Sequence, residues 1–388
     1  MALLKSTGNK KVNLDFNKEF INTFSEKIEN GNIEFINQTL KDLHEADVAN
    51  LIENLNPDTR IKLIELESFN INPEIFIELN ESIQSEVLQL LSIDSIIKII
   101  KRLESDNAIK ILENLEKDNK EKVLDKLPPK DKFLLEEGLS YPEDSAARIM
   151  QREFTAVPSN WTVGQTIDYV REDKNLPEEF LEIFIVNNDF KPIGTVPSSR
   201  VLRTSRDLTM NSIMKEMPVL ISANMDKEEV GLTFENYNLV SAGVVNKDNK
   251  LVGMITADDV VTVVQEEAEE DVLRLAGVGD EEITDSVMLK TKRRFNWLLL
   301  NLFTALLATW VISNFGASIE QMVALAFLMP IVASMGGNAG MQTLAVTIRA
   351  IATKELSKTN FNRVVGKEFL IGILNGIIFA IITGVIVL

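Results

Sequence analysis

The chain has 388 residues, with 40 Lys+Arg against 58 Asp+Glu, one His, no Cys and 45% hydrophobic residues. That length calls for two or three domains, because one core seldom grows past about 250–300 residues, and the absence of cysteine excludes thiolate metal sites, disulfide frameworks and Cys nucleophiles. Thr291–Leu388 carries a net +5 and the residues before it −23, an acidic excess that repels phosphate backbones and excludes general nucleic-acid binding.

The chain opens with MALLKSTGNKKVNLDF, which lacks the apolar core of a signal peptide. Leucines then recur at Leu55, Leu79, Leu91, Leu103, Leu115 and Leu127, a period of twelve that skips one slot, where Leu66 lies one place early. Three places after many of them stand Asp58, Ser82, Asp94, Asp106 and Asp118, predicted as N-caps that accept a bond from an orphan amide. Residues 1–140 therefore read as short helices that bury their apolar faces only by stacking into an all-α superhelix. The aspartates are caps first, and cation ligands only where a partner domain brings further acids close. His44, the one histidine, reads as a surface or capping residue.

Past Pro142 the period changes. LEIFIV (181–186) and SAGVVN (241–246) read as strands, each followed by a polar turn and a second strand, 193–196 and 251–255, then by helices starting near Ser198 and Thr256. Gly194 and Gly253 mark the two copies, 59 residues apart, so an α/β unit is duplicated. Each copy resembles a CBS domain, and residues 141–205 and 206–265 resemble a tandem CBS pair. In many such domains a Gly-x-x-Thr-x-x-Asp pattern supplies a hydroxyl and a carboxylate to a nucleotide ribose. The second copy has Gly253, Thr256 and Asp259, whereas the first has Pro197 and Arg200 at the matching places. The resemblance implies at most one ATP-type site, at Thr256 and Asp259.

Asp258, Asp259, Glu266, Glu267, Glu269, Glu270 and Asp271 lie on one predicted helix leading from the second copy toward an acidic connecting segment, 266–291. Like charges at i,i+4 disfavour an exposed helix by about 0.2–0.5 kcal/mol per pair. Charge pattern alone also fits a solvated face.

The remaining segment, 292–388, is apolar. Three spans are expected near 297–316, 322–352 and 369–388, the first and third without charge over the roughly 20 residues a membrane helix needs. The second contains Pro330 and the run Gly336-Gly337-Asn338-Ala339-Gly340-Met341-Gln342. Irregular backbone is expected there, lining a wet cavity with Gly336, Gly337, Asn338, Gly340 and Gln342, or else a GxxxG packing surface. Lys292, Arg293 and Arg294 before the first span, and Arg349, Lys354, Lys358, Arg363 and Lys367 between the second and third, place the N-terminal domains in the cytoplasm of a multi-pass membrane protein. No acidic side chain falls inside the three expected spans, their one basic residue being Arg349 near the end of the second, and the last ends at Leu388 without a polar flank, so the chain is expected to be a fragment.

HEADVANLIENL, YPEDSAARIM, EEAEEDVLRLAGV and LMPIVASMGGNAGMQTLAVTIRAIA, in that order, resemble the MgtE family of magnesium transporters from about Asp15 onward. The resemblance implies a homodimeric Mg²⁺ channel of the plasma membrane whose helical domain, CBS pair and connecting plug helix sense intracellular Mg²⁺. It implies regulatory Mg²⁺ ligands at Asp94, Asp226, Glu228, Asp259, Glu267, Glu270 and Asp271, with Asn238 and Lys98 standing where acids are expected. Members have five transmembrane helices and an ion-binding aspartate on the last, so three spans alone are expected not to conduct. Two rivals are a CBS-regulated transporter of another solute under adenine-nucleotide control and a membrane-anchored signalling scaffold. Enzyme chemistry finds no Ser/His/Asp grouping and no phosphate-cradling glycine loop.

Overall fold

Each leucine of the twelve-residue period closes a helical unit. The computed structural model describes residues 16, 18–67, 72–177, 179–217, 219–275, 277, 287–322, 324–352, 355–356 and 359–387, in two units that meet in sequence at Val264 and Gln265. The stretch 1–15, residues 276 and 278–286 of the expected connecting segment, and Lys354, Lys358 and Leu388 lie outside the described residues.

The helical domain runs α1 (Lys18–Glu29), α2 (Ile33–Asp42), α3 (Glu45–Asn54), α4 (Pro57–Glu67), α5 (Glu74–Ile77), α6 (Glu81–Leu90), α7 (Ile93–Ile100), α8 (Ser105–Glu113), α9 (Lys117–Lys126) and α10 (Pro129–Ser140). One continuous core extends from Phe24 to Leu135. Leu55, Leu79, Leu91, Leu115 and Leu127 are buried in it. The amide of Leu55 bonds the Ile52 carbonyl at 3.2 Å, and Leu91, Leu115 and Leu127 repeat that i→i−3 closure onto Leu88, Leu112 and Leu124, satisfying one orphan carbonyl per helix end. Leu66, at the skipped slot, is 38% exposed.

The predicted caps lie two places too far along. Asp58, Ser82, Asp94, Asp106 and Asp118 are second residues of their helices, because the turn after each leucine is one residue long and that residue is the cap. Asn56 accepts from the Thr59 amide at 2.9 Å and Ser92 from that of Ser95 at 3.2 Å. The aspartates occupy the first turn, where the helix dipole favours negative charge. His44 does cap α3, its Nδ1 accepting from the Ala46 amide at 3.3 Å.

The duplicated segment forms two three-stranded sheets. β1 (Ala156–Pro158) pairs parallel with β2 (Glu182–Val186), which pairs antiparallel with β3 (Pro192–Pro197); α11 (Val163–Glu172) crosses over between the first two strands, and α12 (Ser198–Arg203) follows the third. After α13 (Met210–Ile213) the pattern repeats with β4 (Ile221–Ser222), α14 (Lys227–Tyr237), β5 (Ser241–Val245), β6 (Leu251–Thr256) and α15 (Ala257–Leu275). Ile185 faces Gly194 and Val244 faces Gly253, with a register shift one residue later in both copies. The period of 59 is thus kept in the hydrogen-bond register itself.

The two copies exchange lead-in segments. Gln151, which precedes the first sheet, bonds both ways with Met254 of β6 at 2.8 Å; Lys215, which precedes the second, bonds both ways with Thr195 of β3 at 2.9 Å. Ala146, Ala147 and Met150 sit in the core of the second copy, and Phe184, Val186, Leu251 and Met254 join the copies. Each crossing passes over a glycine: a Cβ on Gly253 would meet Met150 Sδ at 2.7 Å and the Gln151 carbonyl at 2.8 Å, and one on Gly194 would meet the Lys215 carbonyl at 2.6 Å. Backbone held in a ladder cannot yield, so Gly253→Ala is expected to lose about 1–3 kcal/mol of stability, read by urea denaturation; Gly31→Ala, with open space but positive φ, is the control for backbone strain without crowding.

The second unit contains α16 (Val287–Ser313), α17 (Gly316–Gln321), α18 (Ala324–Ala352) and α19 (Phe361–Val387). Among the described residues, Val287–Ser313 and Phe361–Val385 are long and apolar enough to cross a membrane, with mean hydropathy 1.7 and 2.1. The expected break at Pro330 and the glycines does not occur: α18 is one 29-residue helix with Pro330 inside it. Apolar surroundings offer backbone groups no partner outside the helix, which holds such segments helical despite proline and glycine. Places for a Cβ on Gly336, Gly337, Gly340, Gly372 and Gly376 have nothing within 4 Å, so no close GxxxG contact forms at these glycines among the described residues. Helix α19 begins eight residues before the expected span and includes Glu368, whose carboxylate accepts from Thr343 of α18 at 3.2 Å.

Candidate functional site

Three segments far apart in sequence converge within the first unit: the start of α8, the connector 151–153, and the β6–α15 junction. Glu104 holds the N-cap slot of α8 without making a cap bond, as Glu116 does for α9, whereas α6 and α7 place Asn80 and Ser92 there. Its carboxylate turns to the connector and accepts from Gln151 Nε2 at 3.0 Å. The same nitrogen donates to Asp259 Oδ2 at 3.2 Å, an oxygen that also accepts from Thr256 Oγ1 at 2.6 Å and the Thr256 amide at 3.3 Å. Asp106 lies close enough for its carboxyl and that of Asp259 to influence each other electrostatically, and its Oδ1 is buried without a partner. Glu153 accepts from Ser105 Oγ at 2.8 Å and from the amides of Ser105 and Arg152 at 3.2 and 3.1 Å.

The electrostatic balance is unfavourable for anions. Burial, reinforced by the charges of Glu153, Asp259 and Asp258, raises the Glu104 carboxyl to about 7. Burial and the adjacent Asp259 hold Asp106 well above the usual carboxylate range, and burial raises Asp259, against the hydrogen bond from Thr256. The side chain of the nearby cation Arg152 is 4% exposed and its Nε lies 3.8 Å from Glu137; its terminal nitrogens have no partner. Such a grouping favours protons or added cations.

A pH dependence follows. Glu104 in the folded chain retains a proton that the unfolded chain releases above its ordinary 4.5, so the penalty is absent below that pH, grows on the way up and is complete above about 7. In chelator, the melting temperature of the first unit is expected to fall as pH rises from about 5 to 7.5, and Glu104→Gln is expected to flatten that slope, as followed by circular dichroism.

Of the sequence-predicted ligands, only Asp259 enters this grouping through a contact described above. Asp94 is 76% exposed and pairs with Lys126 at 3.0 Å. Asp226 caps α14, accepting from the Glu228 amide at 2.9 Å, and Glu228 lies in that helix's first turn. Glu267, Glu270 and Asp271 are half-buried on the later turns of α15, where Glu270 pairs with Arg274. Asn238 ends α14 in the left-handed conformation, φ 50° and ψ 50°, a role that suits Asn better than an acid. Asn338 and Gln342 stand one turn apart on α18, both exposed. Among the described residues, no group of three or more His, Asp or Glu is arranged to hold a metal ion. Sequence reasoning took Asp106 as a cap and missed Glu104, Gln151 and Glu153; a glutamate in a cap slot is no sufficient signal, since Glu116 holds the same slot of α9.

Three family models match in chain order: the MgtE intracellular N domain over residues 43–144, the CBS domain over 210–266, and a divalent cation transporter model, MgtE, over 329–388. Magnesium transporter MgtE of Bacillus subtilis (strain 168) is 30% identical over 249 residues, covering 64% of this chain and 55% of the relative. Magnesium transporter MgtE of Thermus thermophilus is 28% identical over 252 residues, covering 64% and 56%. The chain thus spans about half the length of the curated relatives it matches. Two solved structures share the fold of the first unit: the soluble part of a magnesium transporter (21% identity, TM-score 0.56, 65% of this chain and 99% of that one) and the cytosolic domain of the Mg²⁺ channel MgtE in complex with ATP (22%, 0.57, 63% and 99%). With an MgtE N domain, a CBS domain and an MgtE divalent cation transporter segment each matched in that order along the chain, the chain is similar to the MgtE family.

Proposed function

We propose that this chain is the regulatory part and a portion of the pore of a Mg²⁺-selective channel that imports magnesium across the plasma membrane, under negative feedback from intracellular Mg²⁺. The observation that carries the reading is the convergence of Glu104, Asp106 and Asp259, with one buried carboxylate oxygen left unpartnered. Mg²⁺ suits such a place because it keeps several waters and bridges through one or two carboxylates, without a complete protein cage. At high internal Mg²⁺ the ions offset repulsion between the helical domain, the CBS pair and the connecting helix, and the closed state gains population; at low Mg²⁺ the acids repel and it loses population. Asp94, Asp226, Glu228, Glu267, Glu270 and Asp271 are the further regulatory positions in this account. Because α15 is one helix from the buried Val260 and Val263 to the acids at 266–271, a change at Asp259 is carried along that helix to the connecting, plug-like segment.

The proposed pathway is lined by Gly336, Gly337, Asn338, Gly340 and Gln342 of α18, which forms the middle of three spans. The proposed assembly is a homodimer, supported by exposed apolar side chains on the helices after each sheet: Leu202 at 75%, Val261 at 66% and Val264 at 51%. Mg²⁺ uptake by vesicles holding the complete gene product tests the activity. Uptake suppressed by Mg²⁺ on the cytoplasmic side is the expected result, and uptake of no divalent cation excludes the reading.

A further inference from the structure

We propose that Thr256 and Asp259 in this chain form an interdomain latch, engaged by Gln151, that closes the second CBS copy's ribose-binding pattern to nucleotide. The Gly-x-x-Thr-x-x-Asp pattern has a local structural explanation here. Thr256 sits at the N-cap of α15, and Asp259, three places on, reaches back to its amide at 3.3 Å, one half of a capping box. The same carboxylate also reaches between domains: Oδ2 takes the Gln151 side-chain amide at 3.2 Å together with the local Thr256 hydroxyl at 2.6 Å. A ribose diol is gripped best by both oxygens of such a carboxylate, and Oδ2 already accepts three bonds.

Approach is obstructed as well. Gln151 is fixed by paired bonds of 2.8 Å to Met254, and with Met150 it lies so close over Gly253 that a Cβ there would meet either residue below 3 Å. The neighbouring carboxylates of Glu104, Asp106, Glu153 and Asp258 make the surroundings unfavourable for an anion, while the Arg152 Nε lies 3.8 Å from Glu137. The first copy offers no substitute: Pro197 has no hydroxyl, and Arg200 Nη1 donates to the Ile213 carbonyl at 2.9 Å. The chemistry of the matching residues therefore does not fit a nucleotide at either copy, and Gln151 acts as a positioning residue that bridges Glu104 of the helical domain to Asp259 of the CBS pair.

Two measurements on the full chain in detergent test this, independently of whether Mg²⁺ is transported. ATP binding is followed by titration calorimetry at fixed free Mg²⁺ for the wild type and Thr256→Val; the affinities, or the lack of binding, are expected to agree within about twofold. Hydrogen exchange is followed for Gln151→Leu, which is expected to speed exchange of amides 103–106 and 150–154 by about tenfold as both carboxylates lose their shared donor. An about tenfold loss of ATP affinity in Thr256→Val, or unchanged exchange in Gln151→Leu, overturns the proposal. ATP binding gained by Gln151→Leu where the wild type shows none supports it, since release of the latch would uncover the site.

Discussion

Glu104→Gln combined with Asp106→Asn is expected to raise the melting temperature of the first unit in chelator at about pH 8 by ~2–4 °C, equivalent to about 1 kcal/mol for a domain of this size, and to remove most of the further rise that Mg²⁺ gives the wild type. Both acids are held above the ordinary carboxylate range, chiefly by burial and secondarily by neighbouring carboxylates. Ionising them at alkaline pH is therefore destabilising. The amides keep the shape and remove the charge. A cation that binds the folded state stabilises it by mass action, about 2.7 kcal/mol at a hundredfold excess over its dissociation constant. Loss of the carboxylates removes that linkage. Calorimetric scans with and without millimolar MgCl₂, at constant ionic strength, check both halves of the expectation.

Arg60→Ala is expected to cost about 2–3 kcal/mol, because buried backbone carbonyls lose a charged donor, and to unfold the helical domain first. Arg60 is 5% exposed. Its guanidinium donates to the carbonyls of Ile52, Glu53 and Leu55 at 3.1, 3.3 and 3.0 Å and to Glu86 at 2.7 Å. One side chain of α4 thus closes the C-terminal end of α3 and anchors α6. Arg60→Lys is expected to recover only part of the loss, because a single ammonium cannot reproduce the planar fork. Urea denaturation followed by far-ultraviolet circular dichroism measures both variants.

Two local patterns in the sequence reappear directly in the structure. The leucine period marks the phase of the helix endings because each leucine is both a helix stop and a core residue, and the 59-residue repeat of Gly194 and Gly253 survives in the strand register. Caps were misplaced by two residues because an aspartate at the second helical position and one at the cap give the same spacing when the turn length is unknown. The grouping around Asp259 was not legible: Gln151 lies 47 residues from Glu104 and 108 from Asp259, and only the exchange of lead-in segments between the two CBS copies brings them together. The continuous helix through Pro330 was missed for a different reason. Proline and glycine carry their penalties in water, whereas an apolar medium penalises unbonded backbone more.

Limited proteolysis of the full chain with and without millimolar Mg²⁺, with monovalent salt in excess in both, tests the central claim most directly. The account predicts that Mg²⁺ slows cleavage in the 141–155 connector and along 266–291, and that the Glu104→Gln/Asp106→Asn variant responds much less. Equal cleavage of the wild type in both conditions would contradict it.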